Sequence, residues 1–172
     1  MTHYQALFSI GERFDAFVSH GLPAEITAVQ HAQRLLNVEH ALSAATGQRL
    51  EAVQGRYHLL AAAEMWCTDC RINLTAMDHL QRMQPRVALA IISKSRAEHA
   101  LKERLGLERI SIPLVLVLDE RFEPIGRFVE QPRAVTVGDE AIKADYRAGR
   151  YLEGTLGDLL TIIEAHEGRT SS

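Results

Sequence analysis

The segment that most constrains this chain is a short apolar run, Tyr57 to Ala63, followed by Trp66-Cys67-Thr68-Asp69-Cys70 and then by a helical pattern. A continuous apolar run of that length, set just after a glycine, suits a buried strand. From Cys70 to Gln84 the residues Leu74, Met77 and Leu80 recur at helical spacing. Pro85 ends that pattern, because the residue before a proline avoids the helical region. The two cysteines thus stand where a strand gives way to a helix. The free N–H groups and dipole of a helix start stabilise an anion there. A thiolate is such an anion, and it is the nucleophile of disulfide exchange. Cys70 lies over the same turn, so it can attack a mixed disulfide formed on Cys67.

The remaining pattern alternates in the same way. Val87 to Ile92 reads as a second buried strand. Ser95 and Glu98 read as a capping box that opens a helix running through Leu101 and Leu105 to Gly106. Leu114 to Leu118 is a third strand. The polar turn Asp119 to Glu123 leads to a fourth, Ile125 to Val129, antiparallel because so short a turn allows only a hairpin. Arg133 to Gly149 has weak periodicity and reads as a loop with a short helix. Thr155 reads as the cap of a last helix, with Leu156, Leu159, Leu160 and Ile163 on one face. The helical crossover makes the first two strands parallel. The expectation is an α/β sandwich on a four-stranded mixed sheet.

The first third is different. Tyr4, Leu7, Phe8, Phe14, Phe17 and Val18 predict one helix closed by Gly21, and Pro23 can open the next. Val38 to Ala45 predicts a further turn or two, ending at Gly47. Residues 1–50 are therefore expected to form an N-terminal helical extension, 51–168 the α/β domain, and 169–172 a disordered tail.

The 172 residues suit one domain with a sizeable core. A net charge of -3 argues against nucleic acid as a partner. Glu12, Arg13 and Asp15 interrupt the first apolar residues, so no secretory signal is expected. No stretch approaches the roughly 18 apolar residues of a membrane span. These readings make the cytoplasm the expected location, without a membrane partner. A reducing compartment disfavours structural disulfides, so a close pair there reads as redox or metal chemistry. A structural zinc needs four ligands, and His79 and His99 are too scattered to complete a set with two thiolates. No metal is therefore expected within one chain, although two chains sharing a metal or an iron–sulfur cluster is an alternative. Neither a nucleophile elbow G-x-S-x-G nor a phosphate loop G-x-x-x-x-G-K-[ST] occurs.

The order strand, W-C-x-x-C, helix, then Ile112-Pro113 before a strand, resembles the thioredoxin superfamily, and in particular divergent bacterial thioredoxin-like proteins with a W-C-x-D-C motif. Trp66, Cys67 and Cys70 match its active-site motif, and Ile112-Pro113 matches its cis-proline loop. The resemblance covers roughly Tyr57 to His166. It implies a three-layer thioredoxin-like sandwich, a cis peptide before Pro113, and a docking groove lined by Trp66, Ile112 and Pro113. Thr68 and Asp69, between the cysteines, are candidate substrate contacts. It further implies a thiol–disulfide oxidoreductase with a Cys67 nucleophile and a Cys70 resolving thiol. No cofactor is implied, because the electrons sit on the thiols. The partners are a protein or small-molecule disulfide and a reductase or thiol pool as electron donor.

Two departures stand out. Thr68-Asp69 replaces the usual Gly-Pro, which predicts a less rigid helix start. The charge of Asp69 opposes a neighbouring thiolate, which predicts a less acidic Cys67 and a more reducing pair than in strongly oxidising relatives. The buried aspartate that assists the resolving cysteine is replaced by Ala61, with Glu64 a possible substitute. The alternative function is a non-catalytic protein-binding module or scaffold on the same fold.

Overall fold

The structure, a computed structural model, describes residues 1–170. Four helices come first: α1 (His3–Ile10), α2 (Phe14–Ser19), α3 (Pro23–Leu36) and α4 (Ala44–Glu51). The sheet-forming part follows as β1 (Tyr57–Ala62), α5 (Thr68–Met83), β2 (Val87–Ile92), α6 (Lys94–Ala100), β3 (Leu114–Leu118) and β4 (Pro124–Val129). It closes with α7 (Arg133–Thr136), α8 (Glu140–Arg147) and α9 (Leu152–Thr170). Of the expected disordered tail, 169–172, the last two residues lie outside the described ones.

The sheet order is β2-β1-β3-β4. β1 runs parallel to β2, with Leu60 opposite Ala90, and antiparallel to β3, with Leu60 opposite Leu116. β3 and β4 form the expected hairpin. All five residues of β3 are buried. A strand covered on both faces is apolar throughout rather than alternating, which is why its sequence reads as Leu-Val-Leu-Val-Leu. α5 and α9 pack together, α9 also meets β4, and Leu156, Leu159, Leu160 and Ile163 of α9 are wholly buried. Among the described residues this is the four-stranded, helix-flanked thioredoxin-like α/β fold.

The N-terminal helices pack onto this sandwich at several places. α1 lies on β1 and β2, α2 on β2, α3 on α5, and α4 on α9. Phe8 of α1 packs edge-on against His58 and Phe122.

The structure corrects four details of the sequence reading. The expected first helix is two helices, because the chain breaks to pair with the sheet edge: Glu12 N–H donates to Ile91 O at 2.7 Å and Ile91 N–H to Glu12 O at 2.9 Å. Gly11 permits that approach, since a Cβ there would lie 2.8 Å from the Ala90 Cβ. The segment 38–42 is turns and bends, and α4 starts behind Ser43 and continues past Gly47, since the Ser43 side chain accepts the Thr46 N–H. α6 is capped by Ser93, which accepts the Arg96 N–H at 3.1 Å. Ser95 and Glu98 therefore form no capping box, and α6 ends at Ala100 with turns continuing to Gly106. Thr155 is no cap either: it lies inside α9, fully buried, and binds a side chain on α5.

Candidate functional site

Cys67 is the N-cap of α5, in an extended conformation, and its sulfur accepts the Cys70 N–H at 3.3 Å. The sulfur takes the place of the oxygen that usually caps a helix. One bond therefore both ends the strand-to-helix turn and offers a donor to a thiolate. The Cys67 thiol faces the Ile112 carbonyl at 3.7 Å. The Ile112–Pro113 peptide is cis, as the resemblance implied. The Pro113 carbonyl accepts the Glu130 N–H at 2.8 Å, which ties this loop to the end of β4.

The two thiols are unlike each other. Cys67 is half-buried and Cys70 is buried. A hydrogen bond from the Cys70 thiol, and next the Cys70 N–H, lower Cys67 to about 7, against burial and the charge of Asp69, which raise it. Burial, and then the shared hydrogen bond with Cys67, push Cys70 up. A half-exposed thiol that ionises near neutrality beside a buried protonated one is the division of labour that nucleophilic attack and later resolution need.

The expected site residues fall into two groups. Trp66 stands at the surface, 62 % exposed, and Thr68 is exposed, while Ile112 and Pro113 lie beside Cys67 and are buried. Asp69, half-buried, sends its carboxylate into a polar network. Its Oδ1 accepts the Tyr146 hydroxyl at 2.6 Å and the Gln131 amide at 3.3 Å. Its carbonyl accepts the Asn73 amide at 2.8 Å. Ala61 is fully buried in β1. The Glu64 carboxylate is directed to the start of α6, where it accepts the Lys94 N–H at 3.5 Å, while its carbonyl accepts the Cys67 N–H at 3.2 Å.

Sequence reasoning missed several residues around the cysteines. Arg71 donates to the Met65 carbonyl at 2.7 Å and to Thr68 Oγ1 at 3.3 Å, fastening the loop that carries Trp66. Asn73, Tyr146 and Thr155 are buried polar side chains of the Asp69 network. A polar Asn73 among the inward-facing residues of α5 was the one available sign, while Tyr146 sits in the least periodic part of the chain. Among the described residues, no group of three or more His, Cys, Asp or Glu side chains is placed to hold a metal. No helix there is long and apolar enough to cross a membrane.

The sheet order, the thiol at a helix start and the facing cis proline define a thioredoxin-like α/β protein. The thioredoxin family model matches residues 11–143, and the chain belongs to that family. The match begins at Gly11 and so takes in α2, α3 and α4 as well as the sheet. A crystal structure of a protein of unknown function from Pseudomonas aeruginosa is 54 % identical, with a TM-score of 0.90, over 96 % of this chain and 99 % of that one. The crystal structure of an HIV epitope scaffold is 53 % identical, with a TM-score of 0.91, over 94 % of this chain and 98 % of that one. No curated protein matches the chain.

Proposed function

We propose that the protein is a thiol–disulfide oxidoreductase that reduces disulfides in the cytoplasm. The observation that carries this reading is Cys67 as the sulfur cap of α5, lowered to about 7 and facing the cis-proline loop, with a buried Cys70 bonded to it. In the first step the Cys67 thiolate attacks a substrate disulfide. A bond forms between Cys67 Sγ and one substrate sulfur, and the other leaves as a thiolate that takes up a proton. Cys70 then loses its proton and attacks Cys67 Sγ, so the intramolecular disulfide forms and the second substrate thiolate leaves. Two electrons pass from the cysteine pair to the substrate, and a dithiol reductant or thiol pool returns them. Trp66 and Thr68, which flank Cys67 in the chain, and Ile112 and Pro113, whose loop faces it through the Ile112 carbonyl, are the proposed substrate contacts. Both cysteines of the chain belong to this pair, which leaves none for a structural disulfide and fits a reducing compartment.

A second reading, a binding module on the same fold, draws on Ala61, an apolar residue at the position where the resemblance implies a carboxyl that assists Cys70. The test is an equilibrium redox titration of the pair against dithiothreitol and glutathione buffers, with free thiols counted by alkylation and mass. A reversible two-electron transition at roughly -270 to -200 mV supports the oxidoreductase. Thiols that never pair favour the binding module.

A further inference from the structure

The Asp69 network has a direction. Thr155 Oγ1 donates to Asn73 Oδ1 at 2.7 Å, which fixes the Asn73 amide nitrogen as the donor end. That nitrogen lies 2.9 Å from the Tyr146 hydroxyl oxygen, 2.9 Å from the Glu130 carbonyl and 2.8 Å from the Asp69 carbonyl. The Tyr146 hydroxyl gives its one proton to Asp69 Oδ1, at 2.6 Å, and so can only accept from the Asn73 nitrogen, whose two protons serve three acceptors. Burial, and then the bond to Asp69, raise Tyr146 well above the ordinary tyrosine range, so it stays a donor. Asn73 and Thr155 are fully buried, and Tyr146 nearly so. Thr155, Asn73 and Tyr146 thus donate in succession toward the Asp69 carboxylate, while the Asn73 amide also serves the Glu130 and Asp69 carbonyls.

That carboxylate belongs to Asp69, one of the two residues between the cysteines. The same Asn73 amide reaches the Glu130 carbonyl, and the Glu130 N–H holds the Pro113 carbonyl. The network thus ties the cysteine turn, the cis-proline loop, α8 and α9 together at the place where a proline between the cysteines would otherwise stiffen the helix start.

We propose that Tyr146 is a positioning residue of the disulfide-exchange site: acting through Asp69 at the end of the Thr155–Asn73–Tyr146 donor chain, it fixes a negative charge beside the pair and makes it more reducing. The inference rests on the oxidoreductase reading and adds the element that sets its driving force. A fixed anion disfavours the Cys67 thiolate and leaves the neutral disulfide untouched, so electrons leave the pair more readily. Two further charged residues close to Cys67 in the chain, Arg71 and Glu64, are engaged elsewhere. Arg71 on α5 is turned to Met65, Thr68 and Glu25 of α3, Glu64 is turned to α6, and the cis-proline loop presents the Ile112 carbonyl.

The test compares wild type, Asp69→Asn, Tyr146→Phe and the double variant by two readouts: the pH profile of Cys67 alkylation and the redox equilibrium with dithiothreitol. Asp69→Asn is expected to lower the alkylation midpoint and make the pair more oxidising, by about three- to tenfold in the equilibrium constant. Tyr146→Phe moves both in the same direction by less, and adds nothing in the Asp69→Asn background. Thr155→Ser, which keeps the first donor, stays at wild type. A Tyr146→Phe protein that melts cooperatively but keeps both wild-type midpoints overturns the proposal, as does a Tyr146→Phe shift that persists without Asp69. If the wild-type pair never cycles, the oxidoreductase reading falls, and the proposed effect on reducing power falls with it. The alkylation profile then still decides whether the network controls the thiolate.

Discussion

Arg71 on α5 and Glu25 on α3 lie 3.9 Å apart with side chains only 17 % and 18 % exposed, and the same guanidinium donates to the Met65 carbonyl at 2.7 Å. Glu25 also caps its own helix by accepting the Leu22 N–H at 2.8 Å. The N-terminal helices therefore reach the cysteine loop through one cation. A mostly buried pair held by further hydrogen bonds costs more to break on one side than an exposed pair does.

Removing the cation should loosen the loop. Arg71→Met, which keeps most of the stem, is expected to cost about 1–3 kcal/mol in urea denaturation and to speed amide exchange at Trp66 and Cys67. Glu25→Gln should cost less, under about 1 kcal/mol, because an amide oxygen can still accept the Leu22 N–H. Equal and negligible losses in both variants would show that the pair does not anchor the loop.

The strand–cysteine–helix segment was legible because its signals are local. Apolar runs mark β1, β2 and β3, and Pro85 stops α5. The cis-proline loop was legible only through the resemblance, since nothing in Ile112-Pro113 itself distinguishes cis from trans. The break between α1 and α2 was not legible: Phe14 and Phe17 continue the apolar pattern of Tyr4, Leu7 and Phe8, and only pairing of Glu12 with Ile91 on the sheet edge overrides it. Tyr146 and Thr155 were missed for a related reason. Their partners are Asp69 and Asn73, more than seventy positions away, so a polar residue at either place looks like surface or cap until the fold brings α8 and α9 to α5.

The ionisation of Cys67 gives a pH signature. Alkylation of the reduced protein should reach half its maximal rate near pH 7, with Cys70 silent in the same range because burial raises it. The sign for stability follows from the lowered value. Between the folded value of about 7 and the ordinary value of 9.0, the unfolded chain binds more protons than the folded one. Reduced wild type should therefore gain stability over Cys67→Ser as pH rises through that window, and lose the advantage as pH falls through about 7. Denaturation of both at roughly pH 6 and pH 9 checks this, and a constant difference would contradict it.

The two cysteines should fail differently when replaced. Cys67→Ser is expected to abolish disulfide reduction, because no thiolate remains at the start of α5. Cys70→Ser keeps the attack and loses the resolution, so a mixed disulfide on Cys67 should accumulate and be visible as added mass on the intact protein. Substrate reduction at the wild-type rate by Cys67→Ser would remove the proposed roles of both.

Glu153 at the start of α9 closes the far end of the N-terminal helices. Its Oε1 accepts the Ser43 N–H at 2.8 Å, the Ser43 hydroxyl at 2.6 Å and the Thr46 hydroxyl at 2.6 Å. Burial pushes this carboxyl up, but the bonds from Ser43 and Thr46 outweigh it and leave the group below its ordinary value. A carboxyl lowered in the folded state contributes stability that is present above its unfolded value and lost as pH falls through the folded one. Glu153→Gln should therefore cost about 1–2 kcal/mol at neutral pH, since an amide is a poorer acceptor for three donors. The gap between variant and wild type should narrow as the solution is acidified below the ordinary carboxylate range. Thermal unfolding of both across that range measures it, and a gap that stays constant into acid would mean that the charge of Glu153 contributes nothing to holding α4 on α9.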